Sequence, residues 1–398
     1  MIPINTALKI IERETRPLGT ERIDINDSVG RFLEQDIVAD SDLPPFDRSQ
    51  MDGFAVLAAD TFDAPVELEI VGESAAGRGW HKTLKKGEAI RIMTGAPIPK
   101  RADAVQKVEL TRESENRTVK ILSDVKKGTA IVKKASEVTK GKVVIQKGER
   151  ITDNLIAPIA AFGNTKVKVA RQPRVAIIGT GSEIVEIHQK PGRDQIRNSN
   201  SVMLKALAES AGASVEIFPN SGDDISDLKS LISKASARAD ILVTTGGVSV
   251  GKYDLTKAAL KELGAEIFFD RILLKPGKPT VFARLRKTLV FGLPGNPVSA
   301  AVTFHLFVRT TIRLMQGSSA PKAAKGFAVM KHAVRGSKDR DSYLPAILNS
   351  TKEARLEAET LKWGGSSDFI GYSRAECLVV IPRGRSFAAG DVVRIIRL

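Results

Sequence analysis

Thr288-Leu289-Val290-Phe291-Gly292-Leu293-Pro294-Gly295-Asn296-Pro297-Val298-Ser299 is an apolar strand that stops at a stiff Pro-Gly-Asn-Pro turn and reopens as a helix running to Met315. Strand-turn-helix units of this kind build α/β folds. A related feature lies just upstream, in Leu273-Leu274-Lys275-Pro276-Gly277-Lys278-Pro279. There, two ammonium groups and a flexible glycine follow the apolar Ile272 to Leu274. Glycine lets backbone N–H groups approach a ligand, and a helix N-terminus offers unpaired donors with partial positive charge, so both loops suit an anion. The competing reading is a surface Lys-Pro turn and an ordinary proline-initiated helix.

Outward from these loops, strands and helices alternate. Arg174 to Gly179 reads as a buried strand that turns out through Thr180-Gly181-Ser182-Glu183. Capping residues crowd Asn198 to Ser201, and Met203, Leu204, Leu207 and Ala211 then make a helical stripe closed by Gly212. Val215 to Phe218, Ile241 to Thr245, Ile267 to Leu274, Thr280 to Leu285 and Thr288 to Leu293 read as strands. Ile225 to Ala237 and Leu255 to Leu263 read as helices. The pattern implies a three-layer α/β domain with a mostly parallel sheet over residues 173–317.

In such sheets ligands bind beyond the carboxyl ends of the strands. Glu183, Asp223 and Asp254 each follow a strand by a few residues, which gathers three carboxylates along one edge with the Gly246-Gly247 loop. Capping is the competing role for Asp223 and Asp254, since each precedes a helix. Carboxylates beside two lysines make chemical sense if a hard cation such as Mg²⁺ bridges them to a phosphorylated substrate.

The flanks differ in character. Residues 20–172 are rich in short Val/Ile strands broken by Gly and Lys, with a helical stripe only at Leu155 to Phe162. Within them lie two unusual loops, Pro44 to Ala55 and Ile92 to Pro99. Residues 321–398 read as strands and suggest a small β-barrel or sandwich, and an amphipathic helix is expected near Leu8 and Ile11. A division follows into a discontinuous frame (1–45 and 141–172), an inserted β-rich domain (46–140), the α/β domain and the C-terminal β domain.

Lys and Arg number 61 against 46 for Asp and Glu, but they are spread along the 398 residues, and aromatics are few at 5%. That balance reads as a solvated surface rather than a nucleic-acid interface. No apolar run approaches a membrane span, the N-terminus lacks the apolar centre of a secretory signal, and Cys377 stands alone, so a cytoplasmic location is the expectation.

Seven ordered strings, PPFDRSQMDGFAV, RIMTGAPIP, RQPRVAIIGTGSEIV, NSNSVMLKAL, TTGGVSVGKYD, LLKPGKPTVF and FGLPGNPVSA, resemble the molybdenum-insertion enzymes of molybdenum-cofactor synthesis, the family of bacterial MoeA and the E domain of gephyrin. The resemblance implies an elongated homodimer that joins molybdate to the dithiolene of adenylylated molybdopterin, with Mg²⁺-dependent release of AMP. An upstream adenylyltransferase and downstream molybdoenzymes would be its partners. It also implies site roles for Asp52, Thr94, Glu183, Asp223 and Asp254, the three last as metal ligands. Substrate contacts would come from Gly246, Gly247, Ser249, Lys275, Lys278, Pro294, Gly295, Asn296, Pro297 and, less firmly aligned, Ser366. Three positions depart from the family pattern: Arg48 stands where asparagine is common, Glu137 in Lys133-Lys134-Ala135-Ser136-Glu137 where Gly-Glu-Asp is usual, and Asn198 where aspartate precedes Ser-Asn. A molybdopterin adenylyltransferase shares the α/β features but lacks the long N-terminal region. A non-catalytic molybdopterin-binding scaffold would be favoured by loss of a carboxylate or lysine, and none of the main ones is lost.

Overall fold

A computed structural model describes residues 1–247, 255–362 and 364–398. The chain divides into two compact units, one comprising residues 1–35, 147–154 and 166–398, the other residues 36–146 and 155–165.

The larger unit begins with helix α1 (Ile4–Glu14), whose Ile4, Ala7 and Ile11 recur at helical spacing and are buried. Strand β1 (Thr20–Asp24) pairs with a later strand, described below. In the smaller unit, β2 (Gly53–Val56), β3 (Val66–Ser74), β4 (Glu88–Ile92), β5 (Ala104–Lys107), β6 (Thr111–Glu113) and β7 (Thr118–Ile121) form a six-stranded sheet in the order β5-β2-β4-β3-β7-β6. The period-2 alternation of side chains separates Phe54 and Val56 on one face from Ala55 on the other, and each face has its own buried cluster. Helix α2 (Asp153–Ala161) is the one expected near Leu155.

Back in the larger unit, β8 (Lys166–Ala170) runs antiparallel to β1. Then come β9 (Arg174–Gly179), α3 (Ser199–Ser210), β10 (Ser214–Ile217), α4 (Ile225–Ser236), β11 (Ile241–Thr245), α5 (Leu255–Glu262), β12 (Glu266–Phe269), β13 (Val281–Leu285) and β14 (Thr288–Leu293). The sheet order is β10-β9-β11-β14-β13-β12. The first four strands are parallel, and β13 and β12 are antiparallel additions. Val175, Ile177, Val243 and Phe291 point to one core with α1 and α3, while Ala176, Ile178, Leu242 and Val290 point to the other with α4 and α5. Both faces are covered, so these strands are apolar throughout, as buried parallel strands must be.

The helix after β14 starts at Pro297 as α6 (Pro297–Thr303), passes through a π-turn at Phe304–Val308 and continues as α7 (Arg309–Met315). It is the single long helix expected, with one residue per turn too many in its middle. The C-terminal region is a closed barrel of β15 (Lys325–Met330), β16 (Asp341–Ser350), β17 (Leu356–Thr360), β18 (Cys377–Ile381) and β19 (Val392–Arg397), closed by the β16–β18 pairing. No helix among the described residues is long and apolar enough to cross a membrane.

One expected strand is broken. Ile267 to Leu274 is not continuous: β12 ends at Phe269, where Asp270 turns away to an ion pair with Lys257. Ile272 then bridges Ile2, and Leu274–Lys275 pairs parallel with Asp341–Ser342 of the barrel. An apolar run could not reveal this, because hydrophobicity is equally served by either sheet.

Phe282 is fully buried and meets the rings of Phe268, Phe269 and Phe291, with the Phe291 centroid 4.8 Å away. Phe282→Ala should lose about 3–5 kcal/mol of stability in urea unfolding. A loss below about 1 kcal/mol would show that the sheet does not depend on this cluster.

Candidate active site

The carboxyl ends of β9, β11 and β14 are aligned by parallel register, Gly179 beside Thr245 and Thr245 beside Leu293. The ladder continues into the loops, with Thr180 N–H donating to Thr245 O at 2.9 Å and Gly246 N–H to Leu293 O at 3.3 Å. Gly246 has φ +91°, and a Cβ there would lie 2.3 Å from Thr180 O; one on Gly247, at φ +60°, would lie 2.7 Å from Thr180 Oγ1. Only glycine lets the two loops come this close. A cleft of about 700 Å³ opens above them, lined by Glu183, Asn200, Thr245, Gly246, Gly295 and Asn296 among others. That volume suits a small organic ligand.

The remaining loops reach the same edge. Phe269 pairs with Phe282 and Val281 with Gly292, so the segment between β12 and β13 leaves and returns where β14 ends. It carries Lys275, exposed, and Lys278, half-buried. A Cβ on Gly277 would lie 2.6 Å from Thr303 Cγ2, which seats this loop against α6. Neither lysine has a carboxylate partner among the described residues.

Glu183 and Asp223 sit on adjoining loops. Thr180 bridges Ser221, and Ser182 Oγ donates to Asp223 Oδ2 at 2.6 Å. The cap of α4 is Asp224, which accepts from the N–H groups of Ser226 and Asp227 at 2.7 and 2.9 Å. Asp223 is therefore released from capping, the role that competed for it. Asp254 and Ser249 lie outside the described residues, and among those described no group of three His, Cys, Asp or Glu side chains assembles.

The Pro294–Pro297 turn is less open than a bare helix start. Pro297 has no N–H, Val298 N–H donates to Ser366 O at 3.1 Å, and Asn296 Nδ2 donates to Ser366 Oγ at 2.8 Å. Ser366 thus braces the turn through Asn296 and Val298. A donor already used by a carbonyl is unavailable to another acceptor, so this turn offers fewer free N–H groups than a bare helix start.

In the smaller unit, Asp52 Oδ1 accepts from the backbone N–H of Thr94 at 2.6 Å and from its hydroxyl at 2.8 Å. The Thr94 backbone N–H, and then the hydroxyl, hold the Asp52 carboxyl below the usual aspartate range. Asp47 is a framework residue, accepting from Lys133 Nζ at 2.7 Å and Lys134 N–H at 2.8 Å. Two of the departures from the family pattern pair with each other, Arg48 Nη2 lying 3.3 Å from Glu137 Oε1. Asn198 caps α3 by accepting from Ser201 N–H and also donates from Nδ2 to Asn220 Oδ1 at 2.6 Å, a donation an aspartate could not make.

Comparison with known proteins gives the same architecture. The chain matches the MoeA N-terminal region (domain I and II) over residues 2–163, the probable molybdopterin binding domain over 176–314 and the MoeA C-terminal region (domain IV) over 328–398. It is 34% identical to a molybdopterin molybdenumtransferase of Bacillus subtilis across 99% of this chain and 94% of that protein. The chain belongs to the MoeA family. A molybdopterin molybdenumtransferase of Staphylococcus epidermidis is 35% identical, covering 99% and 95% of the two chains. Two crystal structures of MoeA proteins from Pyrococcus horikoshii superpose with TM-scores of 0.85 and 0.80 at 29% and 33% identity, each covering 100% of this chain and 100% and 99% of theirs. The likeness to MoeA extends well beyond the molybdopterin-binding domain, which disfavours a stand-alone adenylyltransferase.

Sequence reading missed Asp224 as the cap, Ser182 as the partner of Asp223, and Asn200. The first was adjacent to a stronger candidate. The others become visible only once separate loops meet.

Two tests follow. Asp224→Ala should lower stability by about 1 kcal/mol, whereas Asp223→Asn should leave thermal unfolding unchanged; equal destabilisation would return Asp223 to a structural role. Thr94→Val should raise the Asp52 titration point seen by NMR while leaving it below the ordinary aspartate value, because the backbone donor remains. An unchanged titration point would show the hydroxyl bond to be absent.

Proposed function

We propose that this MoeA-family chain inserts molybdenum into molybdopterin as a transferase of molybdenum-cofactor biosynthesis. The observation that carries the reading is the full-length correspondence to molybdopterin molybdenumtransferases, with three family regions in order along one chain. The substrates are adenylylated molybdopterin and molybdate, and AMP is released.

The residues divide the work by charge. Lys275 and Lys278 bind the pterin phosphate and neutralise negative charge that grows on the phosphoanhydride. Glu183 and Asp223 orient the water or molybdate oxygen that attacks it, with Asp254 as a third carboxylate in the same role. Gly246, Gly247 and Gly295 keep the cleft floor open to close approach by the ligand, and Ser249 is a further substrate contact in this reading. Asn296, held by Ser366, fixes the far wall. Molybdate is a dianion, and the basic excess of the chain steers it toward the site.

Mg²⁺ fits the donor set: it is commonly held by one or two carboxylates plus substrate phosphates, and the two described carboxylates are oxygen donors on adjoining loops. When bound it would screen the phosphoanhydride from the carboxylates and polarise it. Asp52 with Thr94, supplied by the N-terminal region of a second copy, would complete the site, making the functional form a cytoplasmic homodimer. We retain the four-domain division of residues 1–45 with 141–172, 46–140, 173–317 and 321–398 on the same footing. An upstream adenylyltransferase would hand over the substrate and molybdoenzymes would receive the product.

The deciding assay mixes the purified protein with Mg²⁺, molybdate and adenylylated molybdopterin, and follows AMP release and cofactor formation. Asp254→Asn should cut AMP release about 10²-fold or more with folding retained, since an amide is a poor replacement for a charged metal ligand. Turnover should also stop after EDTA treatment. No AMP release from the wild type would overturn the function, and undiminished activity after exhaustive chelation would overturn the metal. Light scattering should give twice the 43.0 kDa chain mass; a clean monomer at micromolar concentration would remove Asp52 and Thr94 from the site.

A further inference from the structure

Asn200 stands in the first turn of α3, on the wall of the cleft. Its Nδ2 donates to Gly295 O at 2.7 Å and to Thr245 Oγ1 at 3.0 Å, and Thr245 Oγ1 in turn donates to Pro294 O at 3.3 Å. A carbonyl can only accept, so Gly295 forces the NH₂ end of the amide to face it and fixes which end is oxygen. The oxygen, Oδ1, is buried and has no hydrogen-bond partner among the described residues.

An unpaired buried acceptor is costly, and native proteins retain few. Here both amide hydrogens are used for anchoring, which leaves Oδ1 as an acceptor without a partner among the described residues. The side chain as a whole is only half-buried. A small rotation about its anchored NH₂ can therefore offer the oxygen to a group entering the cleft. The walls near it include Ile184, Pro191, Ile196 and Phe369, apolar surface suited to the faces of a flat ring. Edge acceptor and apolar faces together select a planar heterocycle that carries N–H donors.

We propose that Asn200 is a substrate-recognition residue whose Oδ1 accepts from an N–H on the pyrimidinone edge of the bound pterin. This rests on the molybdopterin reading above and deepens it. The same chemistry could be offered by the adenine amine of the adenylate, and the experiment separates the two.

Binding of 6-hydroxymethylpterin, of its 2-dimethylamino-3-methyl analogue, which lacks N–H donors on that edge, and of AMP is measured by calorimetry on the full chain. The wild type should bind the pterin about tenfold or more tightly than the methylated analogue. In Asn200→Ala that preference should fall below about twofold, because the oxygen that reads the edge is gone, while AMP binding stays unchanged. If the alanine variant unfolds, Asn200→Ser carries the same comparison. Wild-type protein that binds neither pterin overturns the molybdopterin reading and this inference with it. Wild-type protein that binds both pterins equally, or a variant that keeps the preference, sinks this inference and leaves the reading standing. A variant that loses AMP while keeping pterin discrimination assigns the oxygen to adenine instead.

Discussion

The cleft depends on one close approach, that of the Gly246 backbone to the carbonyl of Thr180. Parallel strands deliver their following loops to one edge, but they do not by themselves bring those loops into contact. Here a side chain of any size on Gly246 would collide with backbone rather than with a movable group, and a Cβ on Gly295 would come within 3.4 Å of the Gly246 Cα. A side chain is excluded at Gly246 and Gly247 by the Thr180 loop, while Gly295 packs against Gly246 at ordinary contact distance. The reward is a floor made of peptide groups, with Asn200 reaching across it to the Gly295 carbonyl. Polar side chains then occupy the rim, where their orientation is set by neighbours rather than by solvent.

Charge is arranged on the same logic. Among the described residues the acids and lysines at this edge are left without one another: Asp223 takes a serine hydroxyl, and neither Lys275 nor Lys278 takes a carboxylate. Exposed ion pairs elsewhere, such as Arg48 with Glu137, contribute little to stability. A site for a multiply charged substrate works only if its charges are not already satisfied internally.

Much of this was legible in the residues. Ile241–Thr245 and Thr288–Leu293 were readable to the residue because continuous β-branched and aromatic runs ended in glycine or proline. Asn198 announced the start of α3 as a cap should. The limits were equally physical. Local pattern carries no information on which sheet an apolar segment will join, so Leu274 reads as the end of one strand from Ile267, whereas it pairs with the barrel. Adjacent acids at a helix start, Asp223 and Asp224, differ only in which one the turn places over the N–H groups. Asn200 had no local signal at all, because its meaning comes from a carbonyl in a loop 95 positions away in sequence.

The pairing of Leu274–Lys275 with Asp341–Ser342 ties a lysine of the α/β domain to a strand of the barrel, and Ser366 ties the Pro-Gly-Asn-Pro turn to the same distal region. The α/β domain is therefore not autonomous at the level that matters for chemistry. A fragment cut at the end of α7 would lose Tyr343, Leu378, Val380 and Ile396, which pack into the same buried cluster as Val175, Ile177 and Phe291. It would also lose the strand that pairs with Leu274–Lys275 and the serine that braces Asn296. The boundary along the sequence is thus not a boundary in the packing: backbone pairing, a serine brace and a shared apolar core all run across it.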